Sequence, residues 1–129
     1  VSLTTAWVGD SRAVLVQIKP DGSVIARDLS VDQNPERPDE KARIERCGGV
    51  CEPVFDERGL PCGPVRVWYL AQVAPGLAMS RSIGDAVGAM VGVTAEPEVV
   101  HEMLRPEDSI LLVCSDGVWE FLESRDAAK

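Results

Sequence analysis

The amino-acid sequence predicts an α+β fold built on antiparallel sheet. Short strand-like segments follow one another through tight turns, helical segments interrupt them, and no βαβ unit is visible. The chain has 129 residues, of which 45% are hydrophobic. That size and composition suit one domain with an apolar core.

The first part of the chain is predicted to be all β. Residues 3–8 and 13–18 have strand composition, and residues 9–12 between them contain the turn formers Gly and Asp. We therefore expect an antiparallel hairpin. A second turn signal at residues 20–23 precedes a strand at residues 24–26, which extends the hairpin into a meander.

A helix is predicted over residues 38–46. Pro38 suits its first turn, and Asp39 and Glu40 favour the positive end of its dipole. The two glycines that follow at 48–49 end it. Residues 50–76 are rich in proline and end in an apolar run at residues 65–70, so we expect an irregular segment with at most short strands.

The remaining elements follow from shorter signals. We expect a short helix at residues 82–89, a strand at 98–103 and a buried strand at 110–114, which is continuously apolar. A helical turn is predicted at 118–122, with Ser124 as the cap of a final helix.

Charge and apolar runs exclude several classes of partner. The net charge is −8, whereas proteins that grip phosphate backbones or anionic membranes are usually basic. The longest apolar run, residues 110–114, is far shorter than the ~20 residues that cross a bilayer. We expect neither a nucleic-acid nor a membrane partner.

Four cysteines at irregular spacings and one histidine, His101, fit reduced thiols better than a zinc site. We therefore expect an intracellular protein, cytoplasmic or nuclear. The chain has no initiator Met and opens in a predicted strand, so we expect a piece of a longer protein. Such a piece would expose sheet edges and apolar faces, which favours self-association.

Three aspartates stand beside glycines at strand ends or turns: Asp10, Asp85 and Asp116. Glycine lets the backbone approach a ligand closely. Carboxylates that a fold brings together stay ionised only beside a cation, and oxygen ligands suit Mg²⁺ or Mn²⁺. Taken singly, each aspartate is better explained as an ordinary turn or cap residue, so the residues alone indicate only a possible hard-metal site.

Five segments follow one another along the chain as a set of motifs: Trp7-Val8-Gly9-Asp10-Ser11-Arg12-Ala13-Val14; Leu29 to Pro35 with Glu40, Arg43-Ile44 and Gly48-Gly49; Leu77-Ala78-Met79-Ser80-Arg81-Ser82-Ile83-Gly84-Asp85; Glu96-Pro97-Glu98-Val99; and Leu111 to Trp119. Together and in this order they resemble the motifs of the metal-dependent Ser/Thr protein phosphatases, the PPM or 2C class.

The resemblance implies a four-layer α-β-β-α sandwich on two antiparallel sheets, of which residues 1–129 would be the C-terminal part and residues 50–76 a flap-like insertion. It implies hydrolysis of phosphoserine and phosphothreonine proteins by metal-activated water, with two Mn²⁺ or Mg²⁺ ions. Asp85 and Asp116 would be metal ligands, and Asp10 would share a third ion with Asp85. No catalytic residue beyond the ligands is implied.

This sequence departs from the family pattern in what it lacks. The Asp-Gly-His-Gly stretch, the phosphate-clamping Arg and the final Asp-Asn ligands are not found in the 129 residues. We therefore expect the isolated chain to be an inactive partial domain. A non-catalytic pseudophosphatase or regulatory binding module is the alternative. A simple carboxylate-rich cation-binding domain ranks third, because no Asp-x-Asp run is present.

Overall fold

The computed structural model describes residues 1–69 and 73–129. They form two compact units, residues 1–32 with 97–129 and residues 33–96, which are described one at a time. The strands are β1 (Ser2–Trp7), β2 (Arg12–Ile18), β3 (Val24–Asp28), β4 (Val50–Phe55), β5 (Pro61–Tyr69), β6 (Ala74–Leu77), β7 (Glu98–Met103) and β8 (Asp108–Cys114). The helices are α1 (Pro38–Arg46), α2 (Ala86–Ala89), α3 (Asp116–Trp119) and α4 (Ser124–Ala127). Neighbouring strands in every sheet pair antiparallel, which confirms the α+β class.

The first unit contains two sheets, one of β1 and β7 and one in the order β3-β2-β8. The predicted hairpin of β1 with β2 is therefore wrong, whereas the pairing of β2 with β3 is confirmed. The reason is that β2 is a central strand, and β3 and β8 already occupy both of its edges. The chain instead turns at Gly9, whose φ of 111° suits glycine, and passes from one sheet to the other.

Strand β2 supplies the core of this unit on both of its faces. Ala13 and Leu15 pack with Leu29, while Val14 and Val16 pack with Trp119. This double burial explains the continuous apolar run in its sequence.

The prediction that β8 is buried is wrong. Ile110, Leu111 and Val113 are exposed, and Leu112 and Cys114 are only half-buried. These side chains are exposed because β8 is the outer strand of its three-stranded sheet. A cleft of about 380 Å³ is lined by Leu111 and Val113 together with residues of β1 and β2. Self-association through such exposed apolar side chains stays a prediction.

The second unit shows that the segment after α1 is regular. Strands β4, β5 and β6 form one sheet, so the expected irregular excursion is wrong; residues 70–72 of that segment lie outside the described residues. The prolines misled the prediction because each occupies a tolerant position. Pro53 lies on the edge strand β4, Pro61 begins β5, and Pro64 lies in a bulge between paired residues Cys62 and Val65.

The core of the second unit joins α1 to this sheet. Ile44 and Val67, both fully buried, pack with Cys51, Val91 and Val93. Helix α1 begins and ends at the predicted residues, and Gly49 fits because a Cβ there would lie 2.6 Å from the Ile44 side chain.

The short helices differ from the prediction in their bounds. Helix α2 begins at Ala86 rather than at residue 82, since Asp85 is its N-cap. Helix α3 begins at Asp116 rather than at residue 118. Ser124 is the first residue of α4 and makes no capping bond, so its predicted role as the cap is wrong. Among the described residues, no helix has the length and apolar character needed to cross a bilayer.

Candidate metal-binding carboxylates

Asp10 and Asp116 lie beside each other at one end of the β3-β2-β8 sheet, where β2 begins and β8 ends. Strand β2 begins at Arg12, and β8 pairs with it so that Arg12 stands opposite Cys114. Asp10 precedes Arg12 by two residues and Asp116 follows Cys114 by two. The antiparallel register therefore brings together two of the three aspartates that the sequence singled out.

The environment of Asp10 disfavours the charged form of its carboxyl group. Partial burial raises the pKa of its carboxyl, and the negative charges of Asp116 and Asp32 raise it further, against a backbone hydrogen bond that lowers it. In the part of the chain that the structure describes, neither Asp10 nor Asp116 forms an ion pair. A cation placed here would relieve the repulsion, so these residues fit a divalent metal ion.

Arg12 organises the surroundings of this pair. Its Nε and Nη2 donate hydrogen bonds to the two carboxylate oxygens of Asp32 at 2.9 and 2.7 Å. Its Nη1 donates to the Ser124 hydroxyl at 3.0 Å, and its guanidinium lies 5.1 Å from the Trp119 ring centre. The Trp119 indole donates to the Cys114 carbonyl at 2.7 Å, which fixes α3 against the end of β8. Arg12 therefore neutralises Asp32, and in the described ranges 1–69 and 73–129 it forms no ion pair with Asp10 or Asp116.

Asp85 belongs to the second unit, where it caps a helix. Gly84 before it has a φ of 84°, and Asp85 itself is extended. Its Oδ1 accepts a hydrogen bond of 2.7 Å from the Gly88 amide. The side chain is half-buried, and a carboxylate so held keeps acceptor capacity on its second oxygen.

A second carboxylate of this unit, Glu40, has a role that the sequence did not reveal. The sequence placed Glu40 in the first turn of α1, beside the positive end of the helix dipole, and the structure shows that it is only 1% exposed. Its oxygens accept two hydrogen bonds from Arg43, at 2.7 and 2.8 Å, and one of 2.7 Å from Arg81. The Ser80 hydroxyl donates a further bond. Burial alone would raise the pKa of Glu40, yet these donors outweigh it and hold the pKa well below its usual range.

One signal in the sequence could have indicated that Arg12, Arg43 and Arg81 pair with buried or half-buried carboxylates. Arg12 begins an apolar strand, and Arg81 and Arg43 stand among apolar or small neighbours, positions where a charge needs a partner. The partner itself is distant in sequence in two of the pairs, Arg12 with Asp32 and Arg81 with Glu40, and only the fold reveals it.

An antiparallel α+β chain with unpaired, glycine-flanked aspartates at strand ends defines a candidate hard-metal-binding protein. The family model described as protein phosphatase 2C matches residues 2–129. The chain belongs to the protein phosphatase 2C family.

Similar curated proteins come from plants. A rice protein described as probable protein phosphatase 2C 48 is 39% identical over 131 residues, covering 98% of this chain and 36% of the relative. An Arabidopsis thaliana protein described as probable protein phosphatase 2C 52 is 40% identical over 119 residues, covering 92% of this chain and 25% of the relative. The chain thus spans about a third or less of the length of these relatives.

Solved structures support the fold. A serine-threonine phosphatase 2C from Toxoplasma gondii aligns with a TM-score of 0.75 at 24% identity, covering 98% of this chain and 41% of that one. A sex determining protein of C. elegans aligns with a TM-score of 0.76, also at 24% identity, covering 98% of this chain and 26% of that one.

Proposed function

We propose that this chain is part of a metal-dependent protein serine/threonine phosphatase that acts on phosphoserine and phosphothreonine proteins. The observation that carries the proposal is the placement of Asp10 and Asp116 beside each other at the start of β2 and the end of β8, where neither forms an ion pair with a described residue and the charge of Asp116 helps to raise the pKa of Asp10, in a member of the protein phosphatase 2C family. Mutual repulsion has no structural benefit of its own, whereas it is a common property of cation sites.

Asp10, Asp85 and Asp116 are the proposed ligands, and Mn²⁺ or Mg²⁺ the proposed ions. When bound, such ions lower the pKa of a coordinated water and neutralise the phosphoryl charge. The protein's own contribution is orientation. Arg12 occupies the carboxylate of Asp32 by hydrogen bonding, so Asp32 is not offered to the cation. The Gly88 amide fixes one oxygen of Asp85. No nucleophilic Ser or Cys is assigned a role.

The isolated 129 residues are proposed to be inactive, because the family's Asp-Gly-His-Gly stretch is not among them. The direct test is Mn²⁺-dependent hydrolysis of a phosphothreonine peptide by this chain, with Asp85→Asn and Asp116→Asn as controls. Hydrolysis that both substitutions abolish would establish the enzyme class and refute the proposed inactivity.

A chimera decides the case in which the chain alone is inactive. The 131-residue matching segment of the rice relative is replaced by this chain, with the unaltered relative assayed in parallel. If the relative hydrolyses the peptide, we expect the chimera to do so with Mn²⁺ and to lose the activity on Asp116→Asn. An inactive but folded chimera would favour the non-catalytic alternative.

A further inference from the structure

Residues 80–96 form the segment that carries Asp85. The side chains of Arg43 and Arg81 hold its two ends together by hydrogen bonds. Arg43 donates from Nη2 to the Ser80 carbonyl at 2.8 Å and from Nε to the Gly92 carbonyl at 2.9 Å. One side chain of α1 therefore binds the backbone both before and after Asp85.

Arg81 makes the second closure. Its Nη1 donates to the Glu96 carbonyl at 2.8 Å, and its backbone pairs with Thr94. The next amide, that of Ser82, donates to the Thr94 carbonyl at 3.0 Å. The two ends of the segment thus meet at the arginines, and the carboxylate of Glu40 lies between both guanidinium groups.

We propose that Glu40 is a positioning residue for Asp85: it holds Arg43, Ser80 and Arg81 in the one arrangement that closes this segment and aims the Asp85 carboxylate. The inference rests on the proposed role of Asp85 as a metal ligand. Both oxygens of Glu40 accept hydrogen bonds from these side chains, so Glu40 is proposed to act through the segment.

Stability alone does not account for this arrangement. A buried ion pair contributes little net stability compared with apolar residues of the same volume, because its desolvation cost is high. What Glu40 supplies that an apolar residue does not is direction, since its two oxygens receive donors from three side chains at fixed angles. Supporting hydrogen bonds of this kind are how proteins orient metal ligands.

The test compares Glu40→Gln with Val67→Ala in the full 129-residue chain. Val67 lies in the core of the same unit, and its apolar side chain makes none of the hydrogen bonds of Glu40, Arg43 and Arg81, so its truncation lowers stability while these bonds keep their donors and acceptors. Two quantities are measured by ¹⁵N NMR: hydrogen exchange of the Gly88 amide, which donates to Asp85, and the broadening of the Asp85 amide signal by added Mn²⁺. Arg81→Lys, which keeps the charge but not the fork of donors, replaces Glu40→Gln if that variant does not fold.

We expect Glu40→Gln to expose the Gly88 amide and to raise the Mn²⁺ concentration for half-broadening of Asp85 about 10-fold or more, the usual effect of losing a supporting residue. Under conditions in which the two variants have the same free energy of unfolding, Val67→Ala should change neither the exchange of the Gly88 amide nor the Mn²⁺ concentration that broadens the Asp85 signal. Wild-type exchange and wild-type Mn²⁺ dependence in Glu40→Gln would overturn the positioning role. If wild-type Asp85 does not respond to Mn²⁺, the proposed role of Asp85 as a metal ligand fails instead, and the exchange of Gly88 alone decides whether Glu40 positions the segment.

Discussion

Replacing Arg12 by Met should destabilise the first unit far more than the loss of an ordinary surface charge. The substitution keeps the apolar stem but removes the fork on Asp32, the bond to Ser124 and the stacking on Trp119. Hydrogen bonds between charged groups contribute about 1.5–3 kcal/mol each, and a cation over an aromatic ring about 0.5–1 kcal/mol where exposed. The Arg12 and Asp32 side chains are 20% and 21% exposed, which reduces the expected loss to about 3 kcal/mol.

The assay is thermal unfolding followed by circular dichroism, where about 3 kcal/mol should lower Tm by roughly 10 °C. Lys129→Met is the matched control, because Lys129 also lies in the first unit and pairs with Asp126 at 2.8 Å. Those side chains are 61% and 52% exposed, so solvent screens the pair and Tm should change by only a few degrees. Equal shifts for the two variants would refute the view that Arg12 organises this site.

Three further outcomes follow. Because the hydrogen bonds of Glu40 outweigh its burial and lower its pKa, its stabilising effect is complete above its ordinary pKa of 4.5 and is lost as pH falls; between about pH 6 and about pH 3, the urea midpoint should therefore fall more in wild type than in Glu40→Gln. Asp10→Asn should raise the free energy of unfolding without metal by roughly 0.2–0.5 kcal/mol, because the repulsion is relieved, and so raise Tm slightly. It should also reduce the stabilisation by Mn²⁺; an unchanged response to Mn²⁺ would argue against Asp10 as a ligand. Gly76→Ala should cost about 3 kcal/mol in thermal unfolding, since φ is 68° and the new Cβ would lie 2.8 Å from Trp68. Gly22→Ala, at a φ of 79° in open space, isolates the backbone contribution and should cost about 1–2 kcal/mol.

Local signals in the sequence were enough to predict elements with local causes. Helix α1 matches its prediction because Pro38, the acidic first turn and the closing glycines all act within one segment. Strand β7 was likewise predicted with its observed bounds, Glu98–Met103. Pairing was harder to predict, because the partner of β1 is β7, and the paired residues Ser2 and Met103 are about a hundred positions apart in the sequence.

The candidate site likewise contains residues with local sequence signals and residues whose partners are distant in the sequence. Asp10, Asp85 and Asp116 were visible because their glycine neighbours mark them. Their supports were not visible, since Glu40 and Ser80 are 40 residues apart and meet only in the folded chain. Sequence patterns therefore predicted the proposed ligands, and the structure added the residues that hold them.

We expect Asp10 and Asp116 to bind one divalent ion together where β2 begins and β8 ends, whereas the family resemblance paired Asp10 with Asp85. The most direct measurement is a titration of the ¹⁵N-labelled chain with Mn²⁺, in wild type and in Asp116→Asn. We predict that the amide signals of Asp10 and Asp116 broaden at the same Mn²⁺ concentration, and that Asp116→Asn weakens the response at Asp10. Broadening that bypasses both residues, or a response at Asp10 that the substitution leaves unchanged, would contradict the claim.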